Sequence, residues 1–85
     1  MASSTTAPRN ADDVDLEKWG DNIRFWRTER DLTQTQLADR VGAKQSTVSQ
    51  WENGKRPFTH QQMTALARAL RRPVRDLFPF PKDVR

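Results

Sequence analysis

Residues 32–57 read LTQTQLADRVGAKQSTVSQWENGKRP, and this stretch decides the fold. Thr33 followed three residues later by Gln36 is a capping box: the hydroxyl accepts an orphan backbone N–H, and the glutamine reaches back. It opens a short helix over 34–41 with Leu37, Ala38 and Val41 facing inward. Gly42 stands just past its end, where a left-handed residue closes a helix without steric cost. A second short helix follows over about 45–53, with Val48 and Trp51 inward and Asn53-Gly54 as its stop signal. Two helices this short cannot run parallel and still bury their faces. They are expected to cross at about 90–120°, a helix-turn-helix, with small Ala38 allowing close approach.

Upstream, Leu16, Trp19, Ile23 and Trp26 recur in steps of 3, 4 and 3. That spacing predicts an amphipathic helix over 16–30, with Trp19 and Trp26 in the core and Phe25 off the stripe. Downstream, Thr59 and Gln62 form a second capping box opening a helix to about 70, with Met63, Leu66, Ala67 and Leu70 on one face. Pro73 breaks it, and a last short helix over 74–78 presents Leu77 and Phe78. No segment alternates like a strand. The fold class is therefore all-α: a compact domain of five helices, with the helix-turn-helix at helices 2 and 3 (about 33–53). The domain is expected over 15–80, preceded by a disordered arm, 1–14, rich in Ser, Thr, Ala, Pro, Asn and Asp. A short tail, 81–85, follows.

Composition narrows the function classes. The chain has 85 residues, no cysteine and one histidine, His60. Thiolate metal sites and disulfides are excluded, a single histidine leaves no His cluster for zinc, and no metal, cofactor or catalytic residue is expected. No apolar run approaches the ~20 residues a membrane span needs, and MASSTTAPRN has no apolar core of a secretory signal. A cytoplasmic, non-enzymatic binding domain is expected. Net charge is +4, and it is unevenly spread. Residues 1–43 carry six basic and eight acidic side chains, whereas residues 44–85 carry nine and three. A basic half points to a polyanion, most often nucleic acid.

The outward face of the second short helix holds Lys44, Gln45, Ser46, Thr47, Ser49, Gln50 and Asn53. It contains no acid, whereas a solvated helix face ordinarily mixes Glu with Lys. Such a face suits a major groove, where glutamine can bond adenine at N6 and N7 together. The stretch resembles the lambda-repressor-like helix-turn-helix family, also called the Xre or Cro/repressor type. Members read L-T-Q-x-x-L-A-x-x-x-G, then S-x-x-T-I-S-x-W-E-x-G-x-x-x-P. Leu32, Thr33, Gln34, Leu37, Ala38 and Gly42 match the first part; Thr47, Val48, Ser49, Trp51, Glu52, Gly54 and Pro57 match the second. The likeness extends to Gly20, Ile23 and Arg27 upstream and to Leu66, Ala67, Leu70, Leu77 and Phe78 downstream.

The resemblance implies a sequence-specific, double-stranded-DNA-binding transcriptional regulator, repressor-like and of bacterial or phage type. Lys44, Gln45, Ser46, Ser49 and Gln50 would reach base edges. Thr33, Gln34, Thr47, Asn53, Lys55 and Arg56 would hold the phosphate backbone. Arg27 and Glu52 would pair to lock the first helix to the recognition helix. Two departures stand out. Lys44 replaces the usual Ser or Thr cap of the recognition helix, and Arg71 replaces the glycine after the fourth helix, leaving the turn into the last helix open. The cluster Arg68, Arg71, Arg72 and Arg75 fits either a solvated face or a contact to DNA or an acidic partner.

The expected partner is a near-palindromic operator bound by a homodimer through residues 74–81, where Leu77, Phe78 and Phe80 are the candidates for self-contact. The other reading of the same fold is a protein-interaction module, an antitoxin or coactivator, with a protein partner in place of DNA.

Overall fold

A computed structural model describes residues 15–79, which form five helices, with no strand among the described residues. They are α1 (Leu16–Glu29), α2 (Gln34–Val41), α3 (Gln45–Glu52), α4 (His60–Leu70) and α5 (Val74–Leu77). The arm at 1–14, Phe80 and the tail at 81–85 lie outside the described residues. Arg30, Asn53 and Phe78, expected within helices, cap their ends instead.

Local chemistry sets these boundaries. Asp15 Oδ1 accepts the Lys18 backbone N–H at 3.0 Å and starts α1. Both capping boxes form. Thr33 Oγ1 accepts from the Gln36 backbone at 3.0 Å, and Gln36 Oε1 from the Thr33 backbone at 2.8 Å. Thr59 and Gln62 repeat the exchange at 3.1 and 2.9 Å. Gly42 closes α2 at φ 71°, and Arg71 closes α4 at φ 57°. The left-handed turn that the missing glycine left open is thus kept, with an arginine accepting a backbone that costs about 1–2 kcal/mol.

The core joins Trp19 and Ile23 of α1, Leu37 and Ala38 of α2, Val48 and Trp51 of α3, and Leu66, Ala67 and Leu70 of α4. An aromatic cluster ties these helices to the chain beyond α5. Trp51 stacks on Phe58 with ring centres 5.4 Å apart, and Phe78 meets Phe58 and Trp19 edge-on at 4.8 and 5.2 Å. Asn22 Nδ2 donates to the Leu77 carbonyl at 3.0 Å and Trp19 Nε1 to the Pro79 carbonyl at 3.1 Å, fastening the last turn to α1.

That arrangement corrects three expectations. Leu77 and Phe78 are 0% and 2% exposed, so they close this chain's own core and are not free for self-contact. A four-residue helix has too little length to bury one face and offer another. Trp26 is only half-buried: Arg72 and Arg30 cover it, their guanidinium carbons 4.4 and 5.2 Å from the ring centre. Val41 and Met63, expected inward, are also half-buried and pack on the edge of the core. Phe25, off the stripe as expected, is exposed.

Gly20 permits a close approach of α1 to α3. A Cβ there would stand 2.3 Å from the Trp51 carbonyl oxygen and 2.8 Å from that of Glu52. Only a glycine lets α1 lie flat against the end of α3.

Candidate nucleic-acid interface

The surface of α3 is organised by its buried side. Val48, Trp51 and Glu52 face inward, and Glu52 is the one charged residue buried among those described. A carboxylate removed from water must be paired and hydrogen-bonded. Arg27 Nε donates to Glu52 Oε2 at 2.6 Å and Arg27 Nη2 to Oε1 at 3.1 Å, a two-pronged pair. Arg27 Nη1 also donates to the Leu32 carbonyl at 2.8 Å, so one guanidinium links α1, the turn before α2 and the end of α3. Arg24 approaches from the exposed side, its Nε 3.6 Å from Glu52 Oε1 and its Nη2 donating to Asn53 Oδ1 at 3.2 Å.

Gln34 completes the set. Its Nε2 donates to Glu52 Oε1 at 3.0 Å, while its Oε1 accepts from Gln45 Nε2 at 2.6 Å. A carboxylate only accepts, so Glu52 fixes which way the Gln34 amide faces, and Gln34 in turn fixes Gln45. Gln45 therefore keeps its oxygen uncommitted. The Gln34 amide, expected at a phosphate, is engaged at both ends within the protein in this structure.

The remaining site residues fall on one connected surface. Lys44, Gln45, Ser46 and Gln50 are exposed along α3, with Thr47 and Ser49 half-buried between them. Thr33 is exposed at the start of α2, and Asn53, Lys55 and Arg56 are exposed in the loop after α3. The turn is closed by Gly54 at φ 71° and by the Lys55 backbone N–H donating to the Gln50 carbonyl at 2.9 Å. It brings Arg56 back alongside α3, where Arg56 Nε donates to Gln50 Oε1 at 2.7 Å. No acid is exposed on this face of α3, its single glutamate being turned inward and paired.

The sequence alone does not reveal Arg24, Phe58 or the three glutamine contacts, Gln34–Glu52, Gln45–Gln34 and Gln50–Arg56. The spacing of Gly20, Arg24 and Arg27, by four and three residues, was the available signal for a second arginine on the α3-facing side. The arginine cluster divides. Arg72 pairs with Asp76 and covers Trp26, while Arg68, Arg71 and Arg75 are exposed.

Lys44 occupies the N-cap of α3 in an extended conformation with no side-chain hydrogen bond to the helix. Lys44→Ser should restore a cap worth about 0.5–2 kcal/mol and remove a cation from a helix N-terminus, where it is unfavourable. The expected outcome is a higher midpoint in urea with weaker DNA binding. Unchanged DNA affinity would show that Lys44 meets no anion.

The profile of the helix-turn-helix family matches residues 23–77, from the middle of α1 to the end of α5. Among solved structures, the restriction-modification controller protein C.AhdI from Aeromonas hydrophila superposes with a TM-score of 0.73 at 38% identity, covering 75% of this chain and 97% of that one. The P22 c2 repressor, solved in complex with synthetic operator 9T, gives 0.70 at 28% identity over 72% of this chain and 92% of that one. The DNA-binding domain of BldD gives 0.67 at 27% identity over 76% and 94%. Hydroxypropylphosphonic acid epoxidase from S. wedmorenis shares the fold alone, at 24% identity, TM-score 0.72 and 78% coverage of this chain, over 35% of its own. No curated protein sequence matches the chain.

Proposed function

The chain belongs to the lambda-repressor-like helix-turn-helix family, and on that footing we propose that it regulates transcription by binding double-stranded DNA, as a repressor of bacterial or phage type in the cytoplasm. The observation that carries this is the acid-free, amide-bearing face of α3, held rigidly by the inward-turned Glu52 and followed by two exposed cations. Lys44, Gln45, Ser46, Ser49 and Gln50 would face base edges in the major groove. Thr33, Thr47, Asn53, Lys55 and Arg56 flank them, where phosphates run on either side of a helix lying in that groove. Gln34 would act through Gln45, by holding its amide.

One helix of eight residues reads few base pairs, so a homodimer on a two-fold site is part of the proposal. With Leu77 and Phe78 buried, the self-contact would fall to exposed Val74 and to the chain beyond Pro79. Selection of bound sequences from random duplex DNA tests the whole reading. The expected product is a near-palindrome with half-sites about 10–10.5 base pairs apart, centre to centre. A pool that stays random after repeated rounds contradicts sequence-specific binding, and a single asymmetric element contradicts the dimer.

A further inference from the structure

We propose that Arg56, beyond the phosphate contact assigned to it above, orients the Gln50 amide through its Nε and thereby sets Gln50 to read guanine; this rests on the DNA-reading function proposed above. The two ends of a glutamine amide are alike in shape, and which end faces a neighbour is settled by the neighbour's chemistry. Arg56 Nε donates to Gln50 at 2.7 Å, and a guanidinium has no acceptor. The Gln50 oxygen therefore faces Arg56. Its Nε2, with two N–H groups, is left for whatever lies in front of α3.

An amide reads adenine with both ends at once, the oxygen accepting from N6 and the nitrogen donating to N7. Here the oxygen is committed to Arg56, and its second lone pair lies beside a guanidinium that carries further N–H groups. An adenine or cytosine amino group arriving there would meet donors on both sides. Guanine offers O6 and N7, two acceptors on one edge, and matches a donor-only surface. Gln45, at the other end of α3, is held with the opposite polarity by Gln34. Two residues of one type on one helix are thus prepared for different base edges.

The pairing is positional. Gly54 at φ 71° reverses the chain, and the Lys55 backbone N–H bonds the Gln50 carbonyl itself at 2.9 Å, which registers Arg56 beside the side chain it orients. The Lys55 side chain is an exposed cation in the same loop that makes no bond to the Gln50 amide, and it serves as the internal comparison.

The test uses the full chain and its Gln50→Ala, Arg56→Ala and Lys55→Ala variants, each carried through selection from random duplex DNA. Affinities are then measured for duplexes carrying each of the four base pairs at every selected position. Gln50→Ala identifies the position that Gln50 faces, by erasing its preference. At that position the unaltered protein should favour guanine over adenine by roughly five- to a hundred-fold. Arg56→Ala frees the amide to turn, and the preference should move to adenine or vanish. Lys55→Ala should lower all affinities by similar factors and leave guanine favoured. Arg56→Ala lowering all four affinities equally, with guanine still favoured, would overturn the proposal; so would adenine favoured by the unaltered protein. A selected site indifferent to both Gln50 and Arg56 overturns this assignment alone. No enrichment by the unaltered protein overturns the DNA-reading function and this assignment with it.

Discussion

Glu52→Ala is expected to lower the free energy of unfolding by about 3–5 kcal/mol, the range for breaking a buried ion pair from one side. The Glu52 side chain is fully buried and that of Arg27 is 14% exposed. Without the carboxylate, Arg27 keeps its bond to the Leu32 carbonyl but retains a buried, uncompensated charge. Gln34 loses its acceptor as well. Arg24 matters less: its side chain is 48% exposed at 3.6 Å, and such partly solvated pairs contribute about 0–1 kcal/mol. Arg24→Ala should therefore move the urea midpoint little. The double variant Glu52→Ala with Arg27→Met should recover part of the loss, because the stranded charge is gone. Equal effects for Glu52→Ala and Arg24→Ala would show that the carboxylate is stabilised mainly by solvent.

The second large effect is expected at Gly20. In an ordinary helix, replacing glycine by alanine stabilises by about 0.5–1 kcal/mol. Here the new methyl would lie 2.3 Å from the Trp51 carbonyl oxygen, 2.8 Å from the Glu52 carbonyl oxygen and 2.9 Å from the Glu52 carbonyl carbon. These are backbone atoms of α3 and cannot rotate aside, so α1 and α3 must separate. Overpacking of this kind costs about 1–3 kcal/mol, occasionally more. Separation would also stretch the Arg27–Glu52 pair that spans the same contact. The sign of the change is thus the reverse of the helix-propensity expectation. A fall in melting temperature of about 5–20 °C, at about 4–8 °C per kcal/mol for a domain of this size, is the predicted reading. An unchanged or raised melting temperature would contradict so tight a contact.

How far the sequence revealed this structure depended on how local each cause was. Capping at Thr33 and Thr59, closure at Gly42 and the inward stripe through Trp19 and Ile23 act within a turn or two, so their spacing predicts them. The turn at Arg71 was ambiguous because its left-handed backbone is held by the hydrogen bonds and packing around it, against the preference of the residue. Phe58 follows a proline in a loop with no period to expose it, yet it joins Trp51, Trp19 and Phe78. Leu77 and Phe78 were visible as apolar but not as internal, since only the fold shows that α1 and α4 leave a gap they fill. The orientations of Gln34, Gln45 and Gln50 were beyond reach for the same reason. Each is fixed by a charged group distant in sequence or across a turn: Glu52 for the first two, Arg56 for the third.

The division between reading and positioning is tested most directly by salt-titrated binding of the unaltered protein and Gln45→Ala to the selected duplex and to random duplex. Gln45 is uncharged, exposed and at the first turn of α3. Its removal should cost roughly 1–3 kcal/mol on the selected site, relax preference only at the base pair it faces, and leave random-duplex binding unchanged. The slope of log affinity against log salt should not move, because no phosphate contact is lost. Equal losses on both duplexes would mean that the exposed face of α3 is not what reads the sequence.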